Sequence, residues 1–382
     1  MKDTIHINVN PEVLIWARES LTLSRNQACE RTKINAKRLN QIEYGEKKPT
    51  LEELKSFSKV YKRTIASLLL QNVPKEKPLP IDRRTINSND IDRFHEKTIM
   101  AVRKARALAH SYLELQQEVN FEFPKFDLQA SITDDPKIVA SEIRQFLKLN
   151  ELRDFSDINL ALEGYIEKVE FLGVTVFQLS LTQDGLRGFS ITDDVVPIIG
   201  IKRGGEQAHS KTFTLFHELG HILLHEGGLC DMSAKTDIKI EKWCNTFSAE
   251  VLVPTYELLS ADLVIEHLKQ NQKIWAKKEL VELANYFHVG PLAILRALLE
   301  NGLTTKAFYS EKHLAWNKPT FGRAKEPKGR EMHKESFKER GRTYVSMAFR
   351  AYDQNIIGMK DLSDFLGLRF SYIPKTRELL KA

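Results

Sequence analysis

The chain has 382 residues and a formal net charge of +6, and it contains no apolar run of about 18 residues, which excludes a helical membrane span. Its three cysteines are odd in number and scattered, which argues against a disulfide framework and favours a reducing compartment. The first residues, Met1 to Thr4, lack the apolar core of a signal peptide, so we expect a cytoplasmic protein. The length of the chain predicts two or three domains.

Five short amphipathic segments between Val9 and Leu70 predict a five-helix domain. Ser24, Asn35 and Thr50 are the residue types that cap helix N-termini, and each precedes one of these segments. Gly45 follows the third segment, where a left-handed residue ends a helix. The spacing is that of a helix-turn-helix.

Two sequence stretches in this region carry a family resemblance. Ile42 to Thr50 reads Ile-Glu-x-Gly-x-x-x-Pro-Thr, and Leu54 to Arg63 reads Leu-x-x-Phe-Ser-Lys-Val-Tyr-Lys-Arg. Together they resemble the Xre (Cro/repressor-type) DNA-binding family, although Thr22 stands where Gly is frequent and the turn at Thr32-Lys33 lacks Gly. The resemblance implies that the third helix enters the major groove of double-stranded DNA and presents Ala36, Lys37, Arg38, Asn40 and Gln41.

The charge distribution agrees with a DNA-binding N-terminal domain. Residues 1–80 hold 15 Lys and Arg against 9 Asp and Glu, a formal charge of +6 that equals the value for the whole chain. Such a basic domain attracts nucleic acid. Two other interpretations remain: the charges are merely solvated faces, or the helical domain binds a protein.

We divide the chain into a helix-turn-helix domain at 1–72, a Pro-containing linker at 73–89 and a metallopeptidase domain at 90–310. Residues 90–120 predict a long amphipathic helix, whose apolar stripe either packs on the peptidase domain or pairs two subunits in a homodimer; we expect the first. Helices at 134–148 and 156–171 follow. Gly173–Phe177 and Val195–Ile201 predict two strands, with Gly185 and Gly188 in the turns between them.

The most informative motif is His217-Glu218-Leu219-Gly220-His221. Two histidines four residues apart share one face of a helix, so that both rings reach one cation, and Glu218 is placed to act on a water bound there. The surrounding residues 211–226 are strongly apolar. The pattern predicts a hydrolytic zinc site, whereas the alternative is a core helix with two satisfied histidines.

Such a site needs a third protein ligand, and the helix predicted at 240–254 supplies three candidates. Glu241 offers a hard oxygen donor on the face that Asn245 shares, and it is the first choice. Glu250 lies nine residues further on, close to a whole number of turns. Cys244 would favour a closed structural site instead.

At these two helices the chain resembles the ImmA/IrrE family of zinc metallopeptidases, through the strings FTLFHELGHILLH (213–225) and EKWCNTFSAEVLVP (241–254). The resemblance implies that His217, His221 and Glu241 bind zinc and that Glu218 is the catalytic base. Further along, Lys278–Phe287 and Pro291–Asn301 look like a second helix-turn-helix. Residues 311–342 predict a basic arm, and residues 343–382 a helical extension.

The fold class that follows is mainly α with a small β-sheet (α+β): an N-terminal five-helix domain, a zincin-like peptidase domain with the His-Glu-x-x-His motif, and a helical C-terminal part. The function that follows is a DNA-binding regulator fused to a zinc endopeptidase that cleaves a repressor or an antitoxin-like protein. The alternatives are a non-proteolytic Xre-type transcription factor, whose zincin domain is a scaffold or sensor, and an antitoxin that holds a toxin.

Overall fold

The computed structural model describes residues 5–77, 96–119, 124–155, 157–181, 186–192, 194–225, 234–316 and 331–381. The described residues are mainly α-helical with one small sheet, which confirms the predicted fold class. They divide into two compact units, and the division falls within helix α6 (Glu96–Glu118), between Met100 and Ala101. Within the described ranges, none of the helices combines the length and apolar character that a bilayer crossing demands.

The first unit contains five helices ahead of α6. They are α1 (Pro11–Glu19), α2 (Arg25–Thr32), α3 (Ala36–Glu43), α4 (Leu51–Tyr61) and α5 (Ile65–Leu68). Each begins at a capping side chain that accepts a hydrogen bond from a backbone N–H of the first turn, and these caps are Asn10, Ser24, Asn35, Thr50 and Thr64. The predicted caps Ser24, Asn35 and Thr50 are therefore confirmed.

A buried ion pair fastens α3 to α1. The guanidinium Nε of Arg18 lies 2.7 Å from Oε1 of Glu43, and Arg25 donates to the other carboxylate oxygen at 2.9 Å. The turn between α2 and α3 does without glycine because Lys33 itself adopts the left-handed conformation, with φ of 61°. Gly45 has φ of 75° at the predicted stop after α3.

The second unit has a three-stranded sheet among its helices. Strand β3 (Ile198–Lys202) lies in the centre, parallel to β1 (Thr175–Leu179) and antiparallel to β2 (Gly188–Ile191). Strand β2 was not predicted: Gly188 was placed in a turn, whereas it is the first residue of the strand. Gly185 lies outside the described residues.

Helices precede and follow the sheet in the order of the chain. They are α7 (Pro136–Leu147), α8 (Ile158–Glu170), α9 (Ala208–Leu223), α10 (Ala234–Leu252), α11 (Thr255–Ser260), α12 (Asp262–Lys269), α13 (Lys277–Tyr286), α14 (Pro291–Glu300), α15 (Lys306–Trp316), α16 (Met332–Asp353), α17 (Met359–Leu366) and α18 (Ile373–Leu379), with short 3₁₀ helices at Leu149–Leu152 and Phe370–Tyr372. One apolar core joins α7 through α15 to one face of the sheet. The predicted second helix pair corresponds to α13 and α14.

Helix α9 passes close to α10 and to the sheet. At Gly220 of α9, an added Cβ would lie 3.2 Å from Sγ of Cys244 in α10, so the absence of a side chain lets the two helices approach. At Gly200 of β3, the ring of Phe189 from β2 covers the position that a Cβ would take. Glycine therefore permits one close contact between α9 and α10 and another between β3 and β2.

The predicted basic arm at 311–342 is helical at both of its described ends, which corrects the expectation for those residues. Residues 311–316 belong to α15 and residues 332–342 to α16, whereas residues 317–330 lie outside the described part of the chain. Buried Phe337 anchors the start of α16 despite the surrounding basic residues. The predicted linker at 73–89 lies outside the described residues from position 78 onward.

Helix α16 bends at Gly341, whose φ is 81°, over a buried carboxyl group. An added Cβ at Gly341 would lie 3.1 Å from Oε1 of Glu170, and the hydroxyl of Thr343 donates to the other oxygen of Glu170. Burial, together with the nearby charge of Glu167, raises the pKa of Glu170 to about 8. This carboxyl group therefore stays protonated at neutral pH.

Candidate metal centre and DNA-binding surface

The side chains of the two motif histidines of α9 point toward each other. The Nε2 atoms of His217 and His221 lie 3.1 Å apart, as expected for residues one helical turn apart. His217 is buried and His221 is partly exposed. The apolar residues of α9 pack into the core on either side of the two histidines, so the rings lie against the protein interior rather than in open solvent.

Glu241 of α10 completes the group. One of its carboxylate oxygens lies 3.3 Å from Nε2 of His217, and the other lies 3.3 Å from Nε2 of His221. The three ligand atoms lie within 4.8 Å of one another, so among the described residues His217, His221 and Glu241 form a group that could hold a metal ion. Two imidazole nitrogens and one carboxylate oxygen, with room for solvent, are the donors that zinc takes in hydrolytic sites.

Two properties of Glu241 fit a bound cation. Burial alone would raise its pKa, but the hydrogen bonds and charges of His217 and His221 outweigh burial and lower the pKa well below its usual range, so the carboxylate is ionised. Its buried Oε1 atom faces Nε2 of His221 at 3.3 Å, and this contact lacks the geometry of a full hydrogen bond within the described part of the chain. A cation would satisfy that oxygen.

Asn245 fixes which nitrogen of His217 faces the site. Its Oδ1 lies 3.0 Å from Nδ1 of His217 and accepts the proton there, which leaves the Nε2 lone pair available for a metal. Glu241 and Asn245 lie one turn apart on α10, so the same helix supplies a ligand and orients another.

Glu218 lies beside the edge of the sheet. Its side chain is buried, and an added Cβ at Gly188 of β2 would lie 3.2 Å from its Oε1 atom and 2.5 Å from Cγ2 of Thr214. The first residue of β2 thus lies directly against the carboxylate and α9. A buried carboxylate that follows the first ligand on α9 and lies against an edge strand is a candidate to exchange protons with water bound at the centre.

The other two candidate ligands have different roles. Glu250 accepts hydrogen bonds from the backbone N–H and the hydroxyl of Thr255, both at 2.7 Å, and so holds the start of α11. Cys244 is buried against Gly220 in the helix contact. Neither belongs to the metal-binding group among the described residues. His225 stacks on Phe126 with ring centroids 6.1 Å apart, at the end of α9.

The five predicted DNA-contacting residues all lie on α3. Ala36 and Lys37 are exposed, whereas Asn40 and Gln41 are half-buried. Arg38 is held within its own unit: Nε and Nη2 each lie 2.8 Å from an oxygen of Glu53, and Nη2 also donates to the carbonyl of Lys48. The structure therefore leaves Lys37 and Gln41 as the freer long side chains of this set.

Sequence reasoning missed the position of Gly188 against Glu218, since a glycine that begins a four-residue strand has the same appearance as a turn glycine. It also missed the contact between Arg25, the first residue of α2, and Tyr44, which directly follows α3. The Arg25 guanidinium donates to the Tyr44 hydroxyl at 3.3 Å, and Tyr44 is well exposed next to α3. No local pattern pairs two residues 19 positions apart.

The fold and the site define a metallopeptidase-like domain joined to a helix-turn-helix domain. Residues 169–299 match the family described as the IrrE N-terminal-like domain, and residues 14–68 match the helix-turn-helix family. These matches confirm the resemblance to ImmA/IrrE peptidases with an N-terminal Xre-type domain. Searches of curated proteins and of solved structures gave no match.

Proposed function

We propose that this protein is a cytoplasmic DNA-binding regulator whose second unit is a zinc-dependent endopeptidase, and that its substrate is a repressor or an antitoxin-like protein. The observation that supports the peptidase most strongly is the convergence of His217, His221 and Glu241, with the buried Glu218 next to His217 in the sequence of α9. The match to the IrrE N-terminal-like domain supports the same reading.

Each residue of the site has a separate task. His217, His221 and Glu241 would hold the ion, and Asn245 keeps the His217 ring in the right tautomer. Zinc, when bound, supplies Lewis acidity and makes water a stronger acid. Glu218 takes a proton from the attacking water and returns it to the leaving amine of the cleaved peptide.

Strand β2 provides a support for the substrate. It is an edge strand of the sheet, whose strand order is β1-β3-β2, and its first residue lies against Glu218. A peptide that adds to such an edge in the extended conformation forms backbone hydrogen bonds regardless of its side chains. Its scissile bond would then lie beside the ligand group, which suits a protein substrate better than a small molecule.

A direct test mixes the full-length protein, loaded with zinc, with the regulators encoded next to its gene, and follows their cleavage by gel and mass spectrometry. Glu218→Gln keeps the shape of the side chain and removes its basicity, so we expect zinc binding to persist and cleavage to stop. If the zinc-loaded protein cleaves none of these regulators, the scaffold or sensor interpretation of the zincin domain becomes the better one.

The DNA-binding part is tested separately. We propose that α3 lies in the major groove, with Lys37 and Gln41 at base edges or phosphates. Operator binding followed by fluorescence anisotropy would fall steeply with salt, because the unit neutralises phosphates. Gln41→Ala is expected to lose discrimination between operator and random DNA, whereas unaltered discrimination would place the reading residues elsewhere.

A further inference from the structure

Two buried arginines near the end of α10 share one carboxylate. Nη2 of Arg144 lies 2.6 Å from Oε1 of Glu257, and Nη2 of Arg153 lies 3.1 Å from the other oxygen. Their side chains are only 4 % and 7 % exposed. Both also donate to the last carbonyl groups of α10, at Val251 and Leu252.

The positive charge of this cluster exceeds the negative charge around it. Nε of both arginines and Nη1 of Arg153 have no hydrogen-bond partner among the described residues. Burial, followed by repulsion from Arg153, lowers the pKa of Arg144. A buried charge without a full counter-charge is unfavourable, so the cluster favours an additional anion.

Arg144 lines a groove with a volume of about 400 Å³. Ser141 and Gln145 on one face of α7 line it too, as do Lys148 directly after that helix, Asn150 and Tyr256. The Lys148 ammonium has no ion pair in the described part of the chain, and the carboxylate of Glu151 in the wall is paired with Lys168 at 2.7 Å. The groove thus combines cations with hydroxyl and amide donors.

A count of charges supports an anion in this groove. The charged groups that line the groove are Arg144, Lys148 and Glu151, and their ion-pair partners are Glu257 and Lys168. Glu257 also pairs with Arg153, so the whole cluster holds four cations and two carboxylates. The C-terminal ends of α7 and α10 add about half a negative charge each, so roughly one positive charge remains.

We propose that this groove binds an anion of the phosphate class. A tetrahedral oxyanion accepts several hydrogen bonds at once, which matches Lys148, Ser141 and Gln145 around the edge of buried Arg144. The volume exceeds that of a bare ion and admits a small molecule that carries the phosphate group. The site is separate from the metal centre and does not depend on peptidase activity.

The test measures binding of inorganic phosphate to the full-length protein by calorimetry and by thermal shift, with sodium chloride at matched ionic strength as the reference. We expect phosphate to stabilise the protein beyond chloride. Lys148→Ala should weaken phosphate binding about fivefold through loss of a charge-assisted hydrogen bond, whereas Lys277→Ala, at the exposed first position of α13, should leave it unchanged.

Glu151→Gln provides a control of opposite sign, because removal of a negative charge from the wall should tighten phosphate binding. Adenosine monophosphate serves as the second probe. Tighter binding than inorganic phosphate would identify a nucleotide-type source, equal binding would identify the free ion, and both outcomes support the site. Phosphate that acts no better than chloride, or Lys148→Ala that behaves like Lys277→Ala, would overturn the proposal.

Discussion

Gly188→Ala probes the contact between the edge strand and the carboxylate of Glu218. The new methyl group would lie 2.5 Å from Cγ2 of Thr214, 3.0 Å from the carbonyl oxygen of Gly200 and 3.2 Å from Oε1 of Glu218. Ordinary contact begins near 3.4 Å. Strand β2 therefore has to move away from α9 by most of an ångström.

The expected loss of stability combines two opposing effects. Overpacking of a buried contact costs about 1–3 kcal/mol, whereas replacement of glycine restricts the unfolded chain and recovers about 0.4–1 kcal/mol. We expect a net loss of about 1–2 kcal/mol in the free energy of unfolding. If the peptidase proposal holds, cleavage falls further, about 10–100-fold, because a shift of 1 Å in a reacting group is costly.

The measurements are urea unfolding and the initial rate of substrate cleavage. Gly204→Ala is the matched control, since no atom lies within 4 Å of its added Cβ. Thr214→Ser removes the methyl group that clashes and keeps the hydroxyl that donates to Ser210, so it should partly rescue Gly188→Ala. Equal stability of the two glycine variants, or no coupling between positions 188 and 214, would refute the reasoning.

The remaining predictions concern the ligand shell, a buried acid and a turn. Asn245→Leu should lower zinc affinity about 10–100-fold in chelator competition, because the ring of His217 loses its orienting acceptor; unchanged affinity would remove that role. The pKa of Glu170 is raised from 4.5 to about 8 in the folded protein. The stabilisation that comes from keeping this carboxyl group protonated is therefore fully present below pH 4.5. Between pH 4.5 and pH 8 the free energy of unfolding falls by about 1.4 kcal/mol per pH unit. Glu170→Gln should flatten this pH dependence in unfolding experiments, and an equally steep profile would contradict the assignment. Lys33→Gly should raise the free energy of unfolding of the first unit by about 0.5–1 kcal/mol, because glycine adopts φ of 61° without strain. As a control, Lys59→Gly inside α4 should lower the free energy of unfolding by about 1 kcal/mol. A loss of stability in both variants would argue against the left-handed turn at Lys33.

Sequence reasoning predicted best where local chemistry determines structure. The caps Ser24, Asn35 and Thr50 precede helices because their side chains bond to backbone N–H groups within three residues. His217 and His221 come together because helical geometry alone places them one turn apart. These relations lie within one helix, so the sequence contains all the information they need.

Prediction failed where distant contacts decide. Strand β2 has four residues and exists because it pairs with β3, which the sequence of residues 188–191 does not reveal. The start of α16 was assigned to a basic arm because its charged residues hide the buried Phe337. Glu241 was the first choice among the candidate ligands, but its position beside His217 and His221 depends on how α10 crosses α9, which residue type alone does not determine.

The close crossing at Gly220 has a consequence for the design of variants of this centre. Gly220 directly precedes His221, and the backbone of α9 there packs against Cys244, which lies between Glu241 and Asn245 on α10. The separation of the ligands on the two helices thus depends on how closely the backbone of α9 approaches the Cys244 side chain of α10. A bulkier residue at position 220 would push the two helices apart and move Glu241 away from both histidines, so redesign of the centre begins at this crossing.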